Sequence, residues 1–222
     1  KIEQEMISYS NGYVSIKGAQ QDKLGDLNLN GVPIEIGDVI YYTNYFIYPA
    51  KFPLNPIQYL LSDVNQDGLG ATIADLVYMI NSILGVIPTS PKIRPAAEVA
   101  IEAVSEDGTF GIKYNSDKEL GGMAVVLRTD RAIDENITPV SKLEKLGLKM
   151  ESSIENNRLR MVIYNKDGNL IPGGTNWLFT INCEYKFEIE EIQLAGADGY
   201  PAEVVLKDDV DGMIPGNYNL SQ

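Results

Sequence analysis

The chain has 222 residues, 44% hydrophobic and 22% charged, an ordinary globular composition for one or two domains. Its 18 basic residues against 31 acidic ones give a formal net charge of -13, which excludes the basic footprint that nucleic acid or anionic lipid requires and favours cations. There is no histidine and Cys183 is the single cysteine, so imidazole acid–base chemistry, intramolecular disulfides and Cys-based metal sites all drop out.

Cys183 reads as a small buried apolar residue. No apolar run approaches the ~20 residues of a membrane span. The N-terminus carries no signal-peptide pattern, as expected of a mature or excised fragment.

In chain order, residues 1–23 contain ISYSNGYVSI, an Asn11-Gly12 pair between alternating apolar residues. This predicts a hairpin, either the tail of a preceding domain or an extra strand on a later one. Residues 24–86 then hold an internal repeat. Asp26/Asp63, Asn28/Asn65, Gly31/Gly68, Ile36/Ile73, Asp38/Asp75, Tyr41/Tyr78 and Asn44/Asn81 are identical pairs, all separated by 37 positions. Each repeat reads as a polar loop followed by a helix, over roughly 38–48 and 74–84, with an acid near each helix start. A run starting at Pro56 predicts a short helix between them. Residues 87–95, IPTSPKIRP, read as a linker because of their prolines.

From 96 to 210 strand-like runs alternate with turn signals: EVAIEAV, TFGIKY, GGMAVVLRT, LRMVIYN, WLFTI, YKFEIEEIQL and PAEVVLK. Such spacing predicts an all-β sandwich. Residues 211–222 read as a C-terminal linker. The expected fold is therefore mixed, with a small α module carrying two loop–helix repeats followed by a β-sandwich.

The loops carry the chemistry. Calcium takes six to eight oxygen ligands, which an EF-hand-like loop supplies from alternate positions around a turn made by glycine. Loop one offers Asp26, Asn28, Asn30 and, after Gly31, the carbonyl of Val32. Loop two offers Asp63, Asn65, Asp67 and, after Gly68, the carbonyl of Leu69. The twelfth residue, normally an acid, is Gly37 or Ala74, and the acids arrive one position later as Asp38 and Asp75. Glu35 and Thr72 occupy equivalent places before them and are further candidate ligands. A closing Asp in place of a bidentate Glu points to moderate affinity, from micromolar to the ~10⁻⁴–10⁻³ M of extracellular modules.

Two D-x-N-x-[DN]-G loops, each followed by one helix, resemble type I dockerin repeats, in a divergent variety with a loop one residue longer. The resemblance covers about residues 24–86. The sandwich region, through GGMAVVLRT and NNRLRMVIYNKDGNLIPGGTNWLFTI, is similar to cohesins, the receptors of dockerins. The final IPGNYNLSQ resembles the stretch before a type IX secretion sorting segment. These resemblances imply two calcium ions, an extracellular or cell-surface location, and a cohesin-like partner in the same or a neighbouring chain. The small hydroxyl pair that reads the partner in dockerins is replaced by Val39, Ile40, Tyr41 and Leu76, Val77, Tyr78.

The expected function is a calcium-dependent protein–protein interaction or assembly module, not an enzyme, with neither nucleic acid nor a membrane span involved. Both helices are apolar nearly all round, so some of their surface must meet something besides each other. This chain's own sandwich is the preferred surface; a neighbour's sandwich would give a filament. Glycan binding is the alternative, with Trp177 as a stacking platform, although its place in WLFTI predicts burial.

Overall fold

The computed structural model describes residues 6–10, 13–17, 23–86, 96–134, 136–184 and 186–207. Strands β1 (Met6–Ser10) and β2 (Tyr13–Lys17) pair antiparallel with Ser10 opposite Tyr13. The expected hairpin is thus present, as a two-stranded sheet of its own and not as a strand of the sandwich. Its Asn11-Gly12 turn, the linker 87–95 and the C-terminal stretch 211–222 lie outside the described residues.

Helices α1 (Ile36–Ile47), α2 (Pro56–Leu61) and α3 (Ile73–Leu84) follow. The two longer ones begin one or two residues before the expected starts. The reason is chemical: Asp38 and Asp75 are the third helical residues, reaching back to the caps Glu35 and Thr72. Helix α2 begins where proline is preorganised, with the Asn55 side chain accepting from Ile57 N and Gln58 N, both at 2.9 Å. Helix α3 ends at left-handed Gly85, where Val86 N–H returns to the Asn81 carbonyl at 3.0 Å.

The remaining strands are β3 (Glu98–Glu106), β4 (Thr109–Ser116), β5 (Leu120–Arg128), β6 (Val140–Ser141), β7 (Lys149–Glu155), β8 (Arg158–Tyr164), β9 (Gly174–Asn182), β10 (Glu188–Gly196) and β11 (Glu203–Leu206). They form two sheets, β10-β5-β8-β7 and β11-β3-β4-β9-β6. All pairs are antiparallel except β11 with β3. Val99, Ile101, Phe110, Ile112 and Phe179 of one sheet meet Met123, Val125, Leu127, Met161 and Ile163 of the other in a single apolar core. This is the expected sandwich.

Strand β7, KMESSIE, was not expected. Its residues are half-buried and mostly polar, as suits an edge strand, and they carry no apolar alternation to read. Strand β5 is the opposite case, buried from Leu120 to Leu127. Met123, Val125 and Leu127 face the sandwich core, whereas Ala124 joins a second apolar cluster with Val162, Tyr164 and Ala195. The other members of that cluster come from the helical unit: Tyr42, Ile47, Ile73, Leu76, Val77 and Met79 among them. Helix α1 lies on β8 and β7, and α3 lies on β5 and β10. The helices therefore rest on the outer face of this chain's own four-stranded sheet, which explains why they are apolar on more than one side.

The candidate calcium loops and their seat on the sandwich

The two loops share the hydrogen bonds of their turns. Gly31 N donates to Asp26 Oδ2 at 3.0 Å and Gly68 N to Asp63 Oδ2 at 3.2 Å. Asn30 N donates to Asn28 Oδ1 and Val32 N to Asn30 Oδ1; Asp67 N to Asn65 Oδ1 and Leu69 N to Asp67 Oδ1 follow in register. Gly31 and Gly68 share φ +92. Non-glycine residues are also left-handed at matching places, Leu29 with Gln66 and Ile34 with Ala71, with φ between 56 and 64. A β-branched residue such as Ile34 takes that conformation only under constraint, so the loop path is held against local preference.

Asp38 and Asp75 lock each loop to its helix. Asp38 Oδ1 accepts from Leu27 N at 2.8 Å and Asn28 N at 3.0 Å, and its Oδ2 accepts from Glu35 N at 3.1 Å. Asp75 Oδ1 accepts from Asn65 N at 3.5 Å, while Oδ2 accepts from Thr72 N, the Thr72 hydroxyl and the Tyr42 hydroxyl. Both are fully buried. The extra loop residue has placed these acids where they brace the backbone as well as face the loop.

Glu35 and Thr72, equivalent in sequence, behave differently. The Glu35 carboxylate turns over its loop and accepts from the side-chain amides of Asn28 (3.0 Å) and Asn30. The Thr72 hydroxyl is engaged as a helix cap, accepting from Asp75 N at 3.3 Å and donating to Asp75 Oδ2 at 2.7 Å. Gly37 fits this difference. A Cβ there would lie 2.7 Å from Asn28 Nδ2 and 3.0 Å from Glu35 Oε1, whereas repeat two has the shorter Thr72 and carries Ala74.

Whether these residues fit a cation can be asked of their oxygens. Asp26 Oδ1 and Asp63 Oδ1, the first position of each loop, are buried and have no hydrogen-bond partner. A carboxylate oxygen so placed is costly unless a charge or donor meets it. Burial raises the carboxyls of Asp38 and Asp63 above their ordinary range, with Asp67 adding repulsion at Asp63. It pushes Asp75 up to about 7. A cation in the loop would reverse this by favouring the ionised forms. Among the described residues no three His, Cys, Asp or Glu side chains gather into a metal cluster. The oxygens instead alternate between carboxylate, carboxamide and main chain, as a hard cation of calcium type accepts and a soft metal does not. The residues fit calcium.

The second loop also touches the sandwich. Asn65 Nδ2 donates to the Gly199 carbonyl at 2.9 Å, and the Tyr200 hydroxyl donates to the Asn65 carbonyl at 3.3 Å. Ile73 N donates to Gln193 Oε1 at 3.0 Å, and Asn81 Nδ2 to the Ala197 carbonyl at 3.0 Å. At the other end of the helical unit, Ser153 Oγ donates to the Ile47 carbonyl at 2.5 Å. The sheet under α3 is notched by glycine. Pairing of β10 with β5 passes from Ala195↔Gly122 to Gly196↔Leu120, leaving Gly121 as a bulge. A Cβ on Gly121 would sit 2.5 Å from Val77 Cγ1, and one on Gly122 2.9 Å from Val77 Cγ2. Sequence reasoning offers no sign of this notch, because Gly121 and Gly122 open the run GGMAVVLRT, which reads as a strand.

Trp177 departs from its expected burial. It is half-buried over Gly111, with the Lys113 ammonium 4.5 Å from the ring centre. A β-bulge between Ile112 and Lys113 changes the register of β9, so Leu178 and Phe179 enter the core while Trp177 stays outside it. A stacking sugar would have to displace Lys113.

No family model and no curated protein matches the chain. Among solved structures it is similar to a non-cellulosomal cohesin from the archaeon Archaeoglobus fulgidus, with 18% identity over 49% of this chain and 86% of that one and a TM-score of 0.39. It is similar also to the second type II cohesin module of the adaptor ScaA scaffoldin of Acetivibrio cellulolyticus, with 13% identity, coverage of 51% and 95%, and a TM-score of 0.35. A type II cohesin domain from the cellulosome of the same organism gives 11% identity, coverage of 50% and 92%, and a TM-score of 0.37. At these scores the likeness carries no argument about function, and the sandwich rests on the strand order described above.

Proposed function

We propose that this chain is a calcium-stabilised interaction and assembly unit of a secreted or cell-surface protein, in which a dockerin-like helical unit is seated on a cohesin-like sandwich. Asp26, Asn28, Asn30 and the Val32 carbonyl would hold one ion, with Glu35 within the same loop. Asp63, Asn65, Asp67 and the Leu69 carbonyl would hold the other. Asp38 and Asp75 close the loops against their helices. The ion supplies positive charge to buried oxygens and chemistry of no other kind. The observation that carries this reading is the unpartnered buried Oδ1 at the first position of both loops.

Calorimetric titration and thermal unfolding of metal-stripped protein test it. Two calcium ions per chain are expected, with stabilisation of ~2.7 kcal/mol per site when free calcium is 100 times the dissociation constant. Asp26→Ala and Asp63→Ala are each expected to lose one ion, and the double variant should lose the whole melting rise. Protein that takes up no calcium would leave the repeat a purely structural device.

A further inference from the structure

The two loops share their turns but stand in different surroundings, and the carboxamide of Asn65 is where they diverge. We infer that loop two alone links cation occupancy to seating of the helical unit on the sandwich, an inference that rests on the calcium reading above.

Asn65 is 5% exposed and faces two ways. Its Oδ1 accepts from Asp67 N inside the loop, and its Nδ2 donates both to Asp67 Oδ2 at 3.0 Å and outward to the Gly199 carbonyl at 2.9 Å. Its main-chain carbonyl takes the Tyr200 hydroxyl. The turn it grips is tightly seated. Gly199 has φ +77, and a Cβ there would lie 2.7 Å from Tyr78 Cα. Tyr200 meets Tyr78 edge to face with ring centres 6.3 Å apart. The turn thus touches loop two and the helix that follows it together.

One amide group therefore serves both purposes. Coordination through Oδ1 leaves both N–H bonds of Nδ2 available and polarises them, strengthening donation to Gly199. By reciprocity, a seated sandwich holds Asn65 in the orientation that coordination uses. In loop one the equivalent Asn28 commits Nδ2 to Glu35 and Oδ1 to Asn30, both within its own loop. Calcium there stabilises the helical unit without acting on the contact with the sandwich.

Hydrogen exchange on the full chain, with and without calcium, reads this directly at the amides of Gly196, Gly199 and Ala202 in the Gly196–Ala202 segment. Calcium is expected to slow their exchange about tenfold in the unmodified chain and in Asp26→Ala, and by less than about twofold in Asp63→Ala. Tyr200→Phe is the decisive variant, because it leaves every candidate ligand in place and removes the donor to the Asn65 carbonyl. It should still take up two ions by calorimetry while losing part of the protection. Should Asp63→Ala fail to fold, Tyr200→Phe carries the comparison with Asp26→Ala. Undiminished protection in Tyr200→Phe, or loss of protection in Asp26→Ala, would overturn the inference. Absence of calcium uptake in the unmodified chain would instead overturn the reading beneath it, and the calorimetry reports that separately.

Discussion

The first and second repeats share the hydrogen bonds of their loop turns and nearly the same helices, yet equivalent positions meet opposite fates. Ile36 is 67% exposed and its counterpart Ile73 1%; Ile40 is 56% exposed and Val77 4%. Local sequence dictates the glycine turn of each loop and the helix start, so these recur 37 positions apart. What it does not dictate is which copy is covered. Helix α3 places its first half on β5 and β10, whereas α1 meets the sheet through its far end, near Ile47 and Ser153. A tandem repeat seated on one flat surface can present only one of its two equivalent helix starts to it.

Truncating the two isoleucines should separate the repeats most. Ile73→Ala is expected to cost about 2–5 kcal/mol by denaturant unfolding, as for other buried isoleucines. Ile36→Ala should stay within about 0.5 kcal/mol. Similar losses at both would mean that α1 is covered as well as α3. A smaller effect, about 1–3 kcal/mol from overpacking, is expected for Gly121→Ala. Adding Val77→Ala should recover part of that loss, since Val77 Cγ1 is the nearest atom in the way while the Gly196 carbonyl at 2.9 Å remains. Strict additivity of the two changes would argue that the notch does not seat the helix. The smallest difference lies at the caps. Thr72→Ala should cost about 1 kcal/mol by removing the acceptor for Asp75 N, and Glu35→Ala less, because Glu35 leans over the loop and not onto the helix.

The helices and the loops were legible in the sequence because each depends on neighbours a few residues away. Asp at the third helical position, Pro56 at the first and Gly85 after the last are local signals. So is the glycine turn of each loop. The sandwich was legible as a class through its alternating strands. What escaped depends on distant residues. The edge strand Lys149–Glu155 has no apolar face of its own to announce it. The eight-residue burial of β5 reads as a run that needs cover on both sides, but nothing near it says that α3 supplies the second side. The Asn65–Gly199 contact spans 134 positions. Tyr42 reads as one more apolar helix residue, yet its hydroxyl crosses from repeat one to Asp75 of repeat two at 3.3 Å.

The parallel pairing of β11 with β3 also sets how the sandwich bears load. Glu203 to Leu206 run alongside Glu98 to Ile101 in the same direction, between the first and last strands of that domain. A pull applied to the start of β3 and the end of β11 slides one strand along the other and strains every rung of the ladder together. Antiparallel end strands would separate rung by rung. For a unit tethered between neighbours, the join between its outermost strands is thus a clamp in shear and not a zipper.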